Sequence, residues 1–378
     1  VEDLRDPERR FTLSAADLAL LNPNTRTCPV FRTRRDAEIT KAVYRRVPVL
    51  VKEGPPEENP WGISFLRMFD MANDSHLFRT REVLEREGWR LEGNVFVRGG
   101  ESGALERYLP LYEAKMMHHY DHRAADVITS ETALVRQGQP ARIDSATHRD
   151  PTRSPVPRYW VAEREVELRL GDHHGGLLGF TDVTSPTNER TVIAAIVPPY
   201  GVGHSMPLIV GTRSAADLLL LEASLNSYAL DYVARQKVGG IHLTFFVLSQ
   251  LPVISPHALQ EQHAWTRPLT AASWLIDRAL ELTYTSWDLK EFAARCGYDG
   301  PPFAWDEERR FQLRCEIDAA FFHIYGVGRD DVEYIMETFP IVKRKDEAKW
   351  GEYRTKRVVL EEYSKMVVAR DAARSLQA

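Results

Sequence analysis

Cysteine is scarce in this sequence of 378 residues. The three cysteines, Cys28, Cys296 and Cys315, are too few and too widely spaced for a disulfide framework or a four-cysteine zinc site. Free thiols are typical of the cytoplasm, so the sequence predicts a cytoplasmic protein. The first residues also lack the basic segment and apolar stretch of a secretory signal.

Long apolar runs are missing as well. No stretch approaches the roughly 18 uninterrupted apolar residues that cross a bilayer, and the mean hydropathy is −0.36. We therefore expect no membrane span and no membrane partner. The chain begins with Val1 in a charged stretch, which favours a piece of a longer protein with a further domain upstream.

Several catalytic motifs are also absent. The chain contains no GxxxxGK[ST] phosphate loop, no GxGxxG turn and no complete nucleophile elbow. Val197-Pro-Pro-Tyr200 invites comparison with the catalytic loop of amino-methyltransferases, but Val197 cannot accept a hydrogen bond from a target amine. A glycine-rich turn for S-adenosylmethionine is missing too. The sequence thus predicts no catalytic residue and no cofactor bound by this chain.

Two groups of side chains have spacings found among metal ligands. Glu113 and Lys115 have the ExK spacing found in metal-dependent nucleases, but no Pro-Asp pair precedes them at a suitable distance. His118 and His122 would share one face of a helix, but no third or fourth ligand can be named. We therefore predict no metal site and keep a nuclease at Glu113 and Lys115 as a minor alternative.

Charge is unevenly distributed along the chain. The 49 basic and 54 acidic residues give a formal net charge of −5, which does not by itself indicate nucleic-acid binding. Residues 26–52 nevertheless carry eight basic and two acidic side chains, and residues 343–357 carry seven and three. Such runs can neutralise phosphates, or they can be solvated helix faces.

The order of sequence patterns predicts an α+β fold, with a mixed, sheet-containing domain followed by a helical C-terminal region. Residues 1–60 read as a helical connector, 61–267 as the sheet-containing domain and 268–378 as the helical region. The predicted strands share β-branched and aromatic residues. They are Val49–Val51, Val95–Arg98, Tyr159–Leu170, Thr191–Val197 and Ile241–Leu248.

Capping residues and apolar spacings of three and four indicate the helices. They are a short helix from Ser14 to Asn22, Thr33–Arg46, a long helix from Ser214 to Gly239, Thr270–Leu282, Trp287–Arg295, Glu307–Tyr325, a helix beginning at Asp330, and Tyr353–Arg374.

A series of short segments resembles one protein family when the segments are taken together. They are Leu21-Asn-Pro-Asn-Thr-Arg-Thr-Cys-Pro-Val-Phe31, Arg35-Asp-Ala-Glu38, Leu111-Tyr-Glu-Ala-Lys-Met-Met-His-His-Tyr-Asp-His-Arg123, Arg158-Tyr-Trp-Val161, Thr187-Asn-Glu-Arg-Thr191, Arg235-Gln-Lys-Val-Gly-Gly240, Gln250-Leu-Pro-Val253, Phe339-Pro-Ile-Val-Lys-Arg-Lys-Asp-Glu347 and Gly351-Glu-Tyr-Arg-Thr-Lys356. In this order, over about residues 12–368, they resemble the C-terminal half of type IIG-like restriction-modification N6-adenine DNA methyltransferases, including those of DISARM-type phage-defence systems.

The resemblance implies a function and partners. In that family the catalytic domain lies upstream, and this half contains the target recognition domain and closing helices. The resemblance thus implies a target recognition domain over 61–267, with S-adenosylmethionine bound by the upstream methyltransferase domain. The implied partners are double-stranded DNA, that upstream domain and other subunits of a defence system.

The same segments and the basic runs supply the candidate DNA-binding residues. They are Lys115, His118, Arg123, Arg158, Arg190, Arg235, Lys237, Lys343, Arg344, Lys345 and Arg354. Arg190 could read a base edge from a loop or form a loop ion pair, and Arg235 and Lys237 could simply favour a helix C-terminus. Three adjacent cations at 343–345 cannot all reach one base, so we expect them to contact phosphates.

A protein-interaction scaffold is the main alternative function. In that case the helices after Pro268 dock a partner subunit, and the basic runs are solvated surfaces. Salt-dependent DNA binding distinguishes the two hypotheses.

Overall fold

The computed structural model describes residues 5–100, 104–128, 138–171, 173, 176–211 and 214–375. It confirms the α+β fold, with mixed sheets in the first part and helices toward the C-terminus. The α-helices are Ala15–Leu21 (α1), Arg34–Arg46 (α2), Arg81–Arg86 (α3), Ser145–His148 (α4), Glu163–Leu170 (α5), Ala215–Asn226 (α6), Tyr228–Lys237 (α7), Phe245–Ser249 (α8), Ala271–Thr283 (α9), Lys290–Arg295 (α10), Glu307–Tyr325 (α11), Arg329–Glu337 (α12), Pro340–Trp350 (α13) and Arg354–Ser375 (α14). Among these helices, none is both long and apolar enough to span a bilayer.

The strands are short and belong to separate sheets. They are Ser64–Leu66 (β1), Arg90–Glu92 (β2), Val95–Gly99 (β3), Leu105–Tyr112 (β4), Ala125–Ile128 (β5), Gln139–Arg142 (β6), Trp160–Ala162 (β7), Leu177–Phe180 (β8), Ala194–Val197 (β9), Gly201–Val202 (β10) and Leu208–Val210 (β11). One sheet has the order β1-β11-β8-β9, and another has the order β10-β4-β3-β2. The strand β7 pairs with β4, and β5 pairs with β6. The β10–β4 pair is parallel, and the other strand pairs are antiparallel.

The largest hydrophobic core joins the β8–β9 sheet to the helices. The helix α6 is apolar on nearly all sides and packs against both α9 and β9. A helix of this kind must be buried, which explains its place between the sheet and the helical region. The long helix α11 packs against α7, α9 and α14. This core therefore contains residues from all three predicted ranges, and the boundaries at 60 and 267 stay predictions.

Several predicted elements match the structure closely. Ser14 and Asp17 form the capping box of α1, and Thr33 with Asp36 does the same for α2. The helix α11 ends at Gly326, whose φ of 72° is the left-handed conformation that favours glycine.

Two predicted strands are wrong. Only residues 160–162 of the range Tyr159–Leu170 are extended, and the rest is α5, whose acidic first turn and buried Val166 and Leu170 suit a helix. In the range Ile241–Leu248, Thr244 caps α8 through a hydrogen bond from the backbone N–H of Val247. The predicted strand Val49–Val51 makes only an isolated bridge from Val49 to Pro252. β-Branched composition was misleading because capping and tertiary packing outweigh strand propensity.

Two other element predictions need correction. The predicted long helix after Ser214 is interrupted at Ser227, which is extended and caps α7. A further helix, α13, overlaps the first part of the second basic run and begins with Pro340 at its first position. The helix α12 starts after Gly328 without a side-chain cap.

Candidate nucleic-acid interface

Arg123 is a structural residue at the centre of the molecule. Its side chain is fully buried, and its guanidinium donates to the carbonyl oxygens of His148, Asp150, Arg153 and Thr285. These bonds tie the segment after β6 to the end of α9. Burial lowers the pKa of Arg123. A side chain so enclosed cannot reach DNA in this conformation.

Arg190 and Arg235 form a buried cluster around Asp231 of α7. The Nε of Arg190 donates to Asp231 Oδ2 at 2.6 Å, and the Nε of Arg235 lies 3.4 Å from Oδ1. Arg190 also stacks on Tyr228, and both arginine side chains are only 10% exposed. Burial opposes the charge of Arg190, but the carboxylate of Asp231 outweighs it and raises the pKa. The loop ion pair considered for Arg190 is therefore the observed arrangement.

Lys237 lies at the C-terminal end of α7 and points into the protein. Its Nζ donates to the carbonyl oxygens of Leu21 and Gln250 and to Oδ1 of Asn22. It also lies 4.5 Å from the ring centre of Tyr44. Burial lowers the pKa of Lys237 to about 6. These contacts join α7 to the end of α1 and make Lys237 a packing residue.

Lys115 and Arg158 lie close together near the start of β6. Lys115 Nζ donates to the carbonyl oxygen of Gly138 at 3.0 Å and pairs with Glu113 at 2.8 Å. Arg158 stacks on Tyr159 and reaches the same glycine. In the part of the chain that the structure describes, no group of three side chains suits a metal ion.

The second basic run is largely neutralised by acidic neighbours. Lys343 pairs with Glu337 at 2.9 Å, and Lys345 pairs with Glu189. Arg354 of α14 pairs with Glu308 and lies between the rings of Phe311 and Trp350. Among the described residues, Arg344 has no hydrogen bond and no ion pair, and it is exposed.

In the first basic run, residues 26–52, more of the basic side chains lack an acidic partner. Arg35 pairs with Asp331, and Lys41 pairs with Glu38. Arg26, Arg32 and Arg45 are exposed, and their side chains form neither an ion pair nor a hydrogen bond with any residue that the structure describes.

A cleft between the sheets and the C-terminal helices contains several of the candidate residues. Its larger cavity, of about 410 Å³, is lined in part by His118, Arg190, Lys345 and Arg354. A second cavity of about 230 Å³ shares His118 and Arg314 with it, so the two are adjoining. The other seven candidate residues lie elsewhere.

His118 and His119 form one wall of this cleft. Burial and the nearby charges of Arg142 and Arg314 together lower the pKa of His118 to about 4. Burial also lowers the pKa of His119, and Arg190 adds to the effect. Both imidazoles are therefore neutral near pH 7, and the surrounding cations favour this neutral form.

Sequence reasoning missed the arginines of α11 that face this cleft. Arg310 and Arg314 are four residues apart on a helix that the sequence had indicated, so their common face could have been recognised. Both line the smaller cavity, as does Arg142 of β6. Comparisons with protein-family models, with curated proteins and with solved structures found no match to this chain.

Proposed function

We propose that this chain is the DNA-recognition part of a bacterial adenine-specific DNA methyltransferase of a restriction-modification or phage-defence system. It binds double-stranded DNA and contributes no catalytic residue. The catalytic domain of the same protein binds S-adenosylmethionine, and the whole acts in the cytoplasm. The ordered segments that resemble this methyltransferase family support the proposal.

The exposed, unpaired arginines around α2 are the observation that carries DNA binding. The side chains of Arg26, Arg32 and Arg45 form no ion pair within the described residues, so they can pair with phosphates without first breaking one. Lys343 and Lys345 are already paired, so a phosphate would have to displace a carboxylate. The phosphate contacts expected at 343–345 are therefore better assigned to the segment around α2.

Salt-dependent DNA binding tests this proposal. The affinity of the chain for a fluorescent duplex is measured by anisotropy between about 50 and 200 mM salt, where each phosphate contact contributes about 0.9 to the slope. Arg32→Gln with Arg45→Gln should reduce that slope by about two. The matched double variant, Lys343→Gln with Lys345→Gln, should change it by less than one. No measurable duplex binding would overturn DNA binding by this chain, and an affinity that does not depend on salt would overturn the phosphate contacts.

The scaffold hypothesis has one observation in its favour. An open groove along α14 is lined in part by Leu360 and Val368, and Val368 is 67% exposed. Val368→Asp should abolish association with a partner subunit if the groove is a docking site, while the salt slope of DNA binding should stay unchanged.

A further inference from the structure

Arg310 and Arg314 place two cations on one face of α11. Residues four apart on a helix are neighbours, and like charges at this spacing destabilise it. Arg310 is buried and donates to the carbonyl oxygens of Leu282 and Tyr120. Arg314 is half-buried, and in the described ranges its guanidinium forms neither a hydrogen bond nor an ion pair. A half-buried guanidinium without a partner lowers the stability of the fold unless an anion binds to it.

The carboxylates beside Arg314 are already engaged elsewhere. Glu307 accepts a hydrogen bond from Ser145, and Glu308 pairs with Arg354. Asp346 accepts a hydrogen bond from the backbone N–H of Thr355 at 2.6 Å. Asp318 accepts one from the backbone N–H of Tyr228, and burial raises its pKa to about 7. The charge of Arg314 acts on Glu307 and Asp318 and lowers the pKa of each, but neither carboxylate forms an ion pair with it.

Further unpaired cations surround the same space. Lys349 lines the larger cavity, and Arg142 lines the smaller one. Lys349 lies 4.6 Å from the ring centre of Trp350, and its charge lowers the pKa of Glu307. Among the described residues, the side chains of Lys349 and Arg142 form no ion pair. The charge of Arg142 acts on the same cleft, because it lowers the pKa of His118.

The size of the cleft limits what can bind there. A cavity of about 410 Å³ is within the roughly 300–1,000 Å³ range of small-ligand sites, whereas a DNA duplex is far too wide to enter. Tyr120, Phe311 and Trp350 give the larger cavity aromatic walls. Such rings stack well on planar bases.

We propose that this cleft binds a nucleoside phosphate, with its phosphate groups on Arg314, Lys349 and Arg142 and its base against the aromatic wall. A guanidinium can bind a phosphate through two parallel hydrogen bonds, which favours Arg314 as the main contact. The site is separate from the arginines around α2 that the DNA-binding proposal uses.

Calorimetry with ADP and with inorganic pyrophosphate tests this site. The chain should bind ADP saturably, and Arg314→Gln should weaken binding roughly tenfold or more, because a hydrogen bond to a charged group is lost. Arg344→Gln is the matched control, since Arg344 is also unpaired among the described residues but lies outside both cavities. It should change ADP affinity by less than about twofold.

Three further measurements make the test decisive. Thermal unfolding checks that Arg314→Gln is folded, and Arg314→Lys, which keeps the charge but not the paired geometry, should bind with intermediate affinity. A saturating duplex should leave ADP binding unchanged, and Arg314→Gln should leave DNA affinity unchanged. No saturable binding of either probe at millimolar concentration, an unaltered Arg314→Gln variant, or displacement of ADP by duplex would overturn the proposal. None of these results would decide the DNA-binding proposal, which depends on other residues.

Discussion

Asp231 shows how a cation that looks functional in sequence can be structural. Its carboxylate is fully buried and receives Arg190, Arg235 and the backbone N–H of Thr191. The pair of arginines therefore holds the β8–β9 loop against α7. The residues next to Arg190 look the same whether it is exposed on a loop or buried in an ion pair. The sequence does not distinguish the two because Asp231, its partner, is 41 positions away.

Replacement of Arg190 by Ala should reduce stability and leave DNA discrimination unchanged. Removing one partner of a buried ion pair leaves the other charge uncompensated, which costs roughly 3–5 kcal/mol. Urea denaturation measures this loss, and Arg344→Ala serves as an exposed control that should change stability by less than about 0.5 kcal/mol. A stable Arg190→Ala variant that loses preference at one base position would instead identify Arg190 as a base reader.

Glu222 gives the molecule a specific pH dependence. Burial raises the pKa of this carboxyl to about 8, while its oxygens accept hydrogen bonds from Ile196 N–H and the Thr283 hydroxyl. Because the folded-state pKa lies above the unfolded value, the stability from this group is complete below about pH 4.3. It is then lost as the pH rises toward 8.

The variant Glu222→Gln should therefore gain stability relative to the natural chain as the pH rises from 5 to 8. The expected difference grows by at most about 1.4 kcal/mol per pH unit. Chemical denaturation of both proteins at several pH values measures it, and their comparison cancels the other titrating groups. Parallel stability profiles would show that Glu222 does not titrate in this range.

At the scale of elements, Ser227 divides one apolar stretch into two helices. Its extended backbone ends α6, its hydroxyl accepts from Leu230 N–H, and it also donates to the carbonyl oxygen of Ser224. The break lets α7 turn so that Asp231 faces Arg190. The 3–4 spacing of apolar residues continues across the break, so periodicity alone gave one helix.

Replacement of Ser227 by Ala should destabilise the protein by about 1–2 kcal/mol, because the cap of α7 and a buried hydrogen bond are both lost. Ser214→Ala is the matched control at the exposed start of α6, where loss of the cap should cost about 0.5–1 kcal/mol. Equilibrium urea unfolding compares the two. A smaller loss at Ser227 than at Ser214 would contradict this role.

The whole molecule is held together by a core that crosses the predicted boundaries. Leu21 and Ile39 precede residue 60, Leu178 and Leu221 lie in the middle range, and Phe321 belongs to the helical region, yet all are in one cluster. A fragment of residues 61–267 would expose the surface of α6 that packs against α9.

We therefore expect residues 61–267 expressed alone to lack a cooperative unfolding transition. The fragment would leave apolar surface of α6 in water, so it would lose part of the hydrophobic free energy that stabilises the folded chain. Calorimetry and dye binding to exposed apolar surface measure this, with the full chain as the control. A sharp transition for the fragment would establish residue 267 as a true domain boundary.

Local chemistry in the sequence determined a large part of this fold. The capping boxes at Ser14 and Thr33 and the glycine at 326 fixed helix ends, because caps act through residues close in the chain. The order of strand and helix patterns along the chain indicated the α+β class. The range Glu163–Leu170 was misassigned because its residues suit both strand and helix, and packing against β4 and β7 selected the helix.

The tertiary structure alone decided which cations are available. Arg123, Arg190, Arg235 and Lys237 were candidates for DNA contact, yet each is bonded to groups distant in sequence. Arg314 has no such partner among the described residues and remains open to the cleft. The reason is physical: charge is a property of the residue, whereas its compensation depends on which groups the fold brings within a few ångströms.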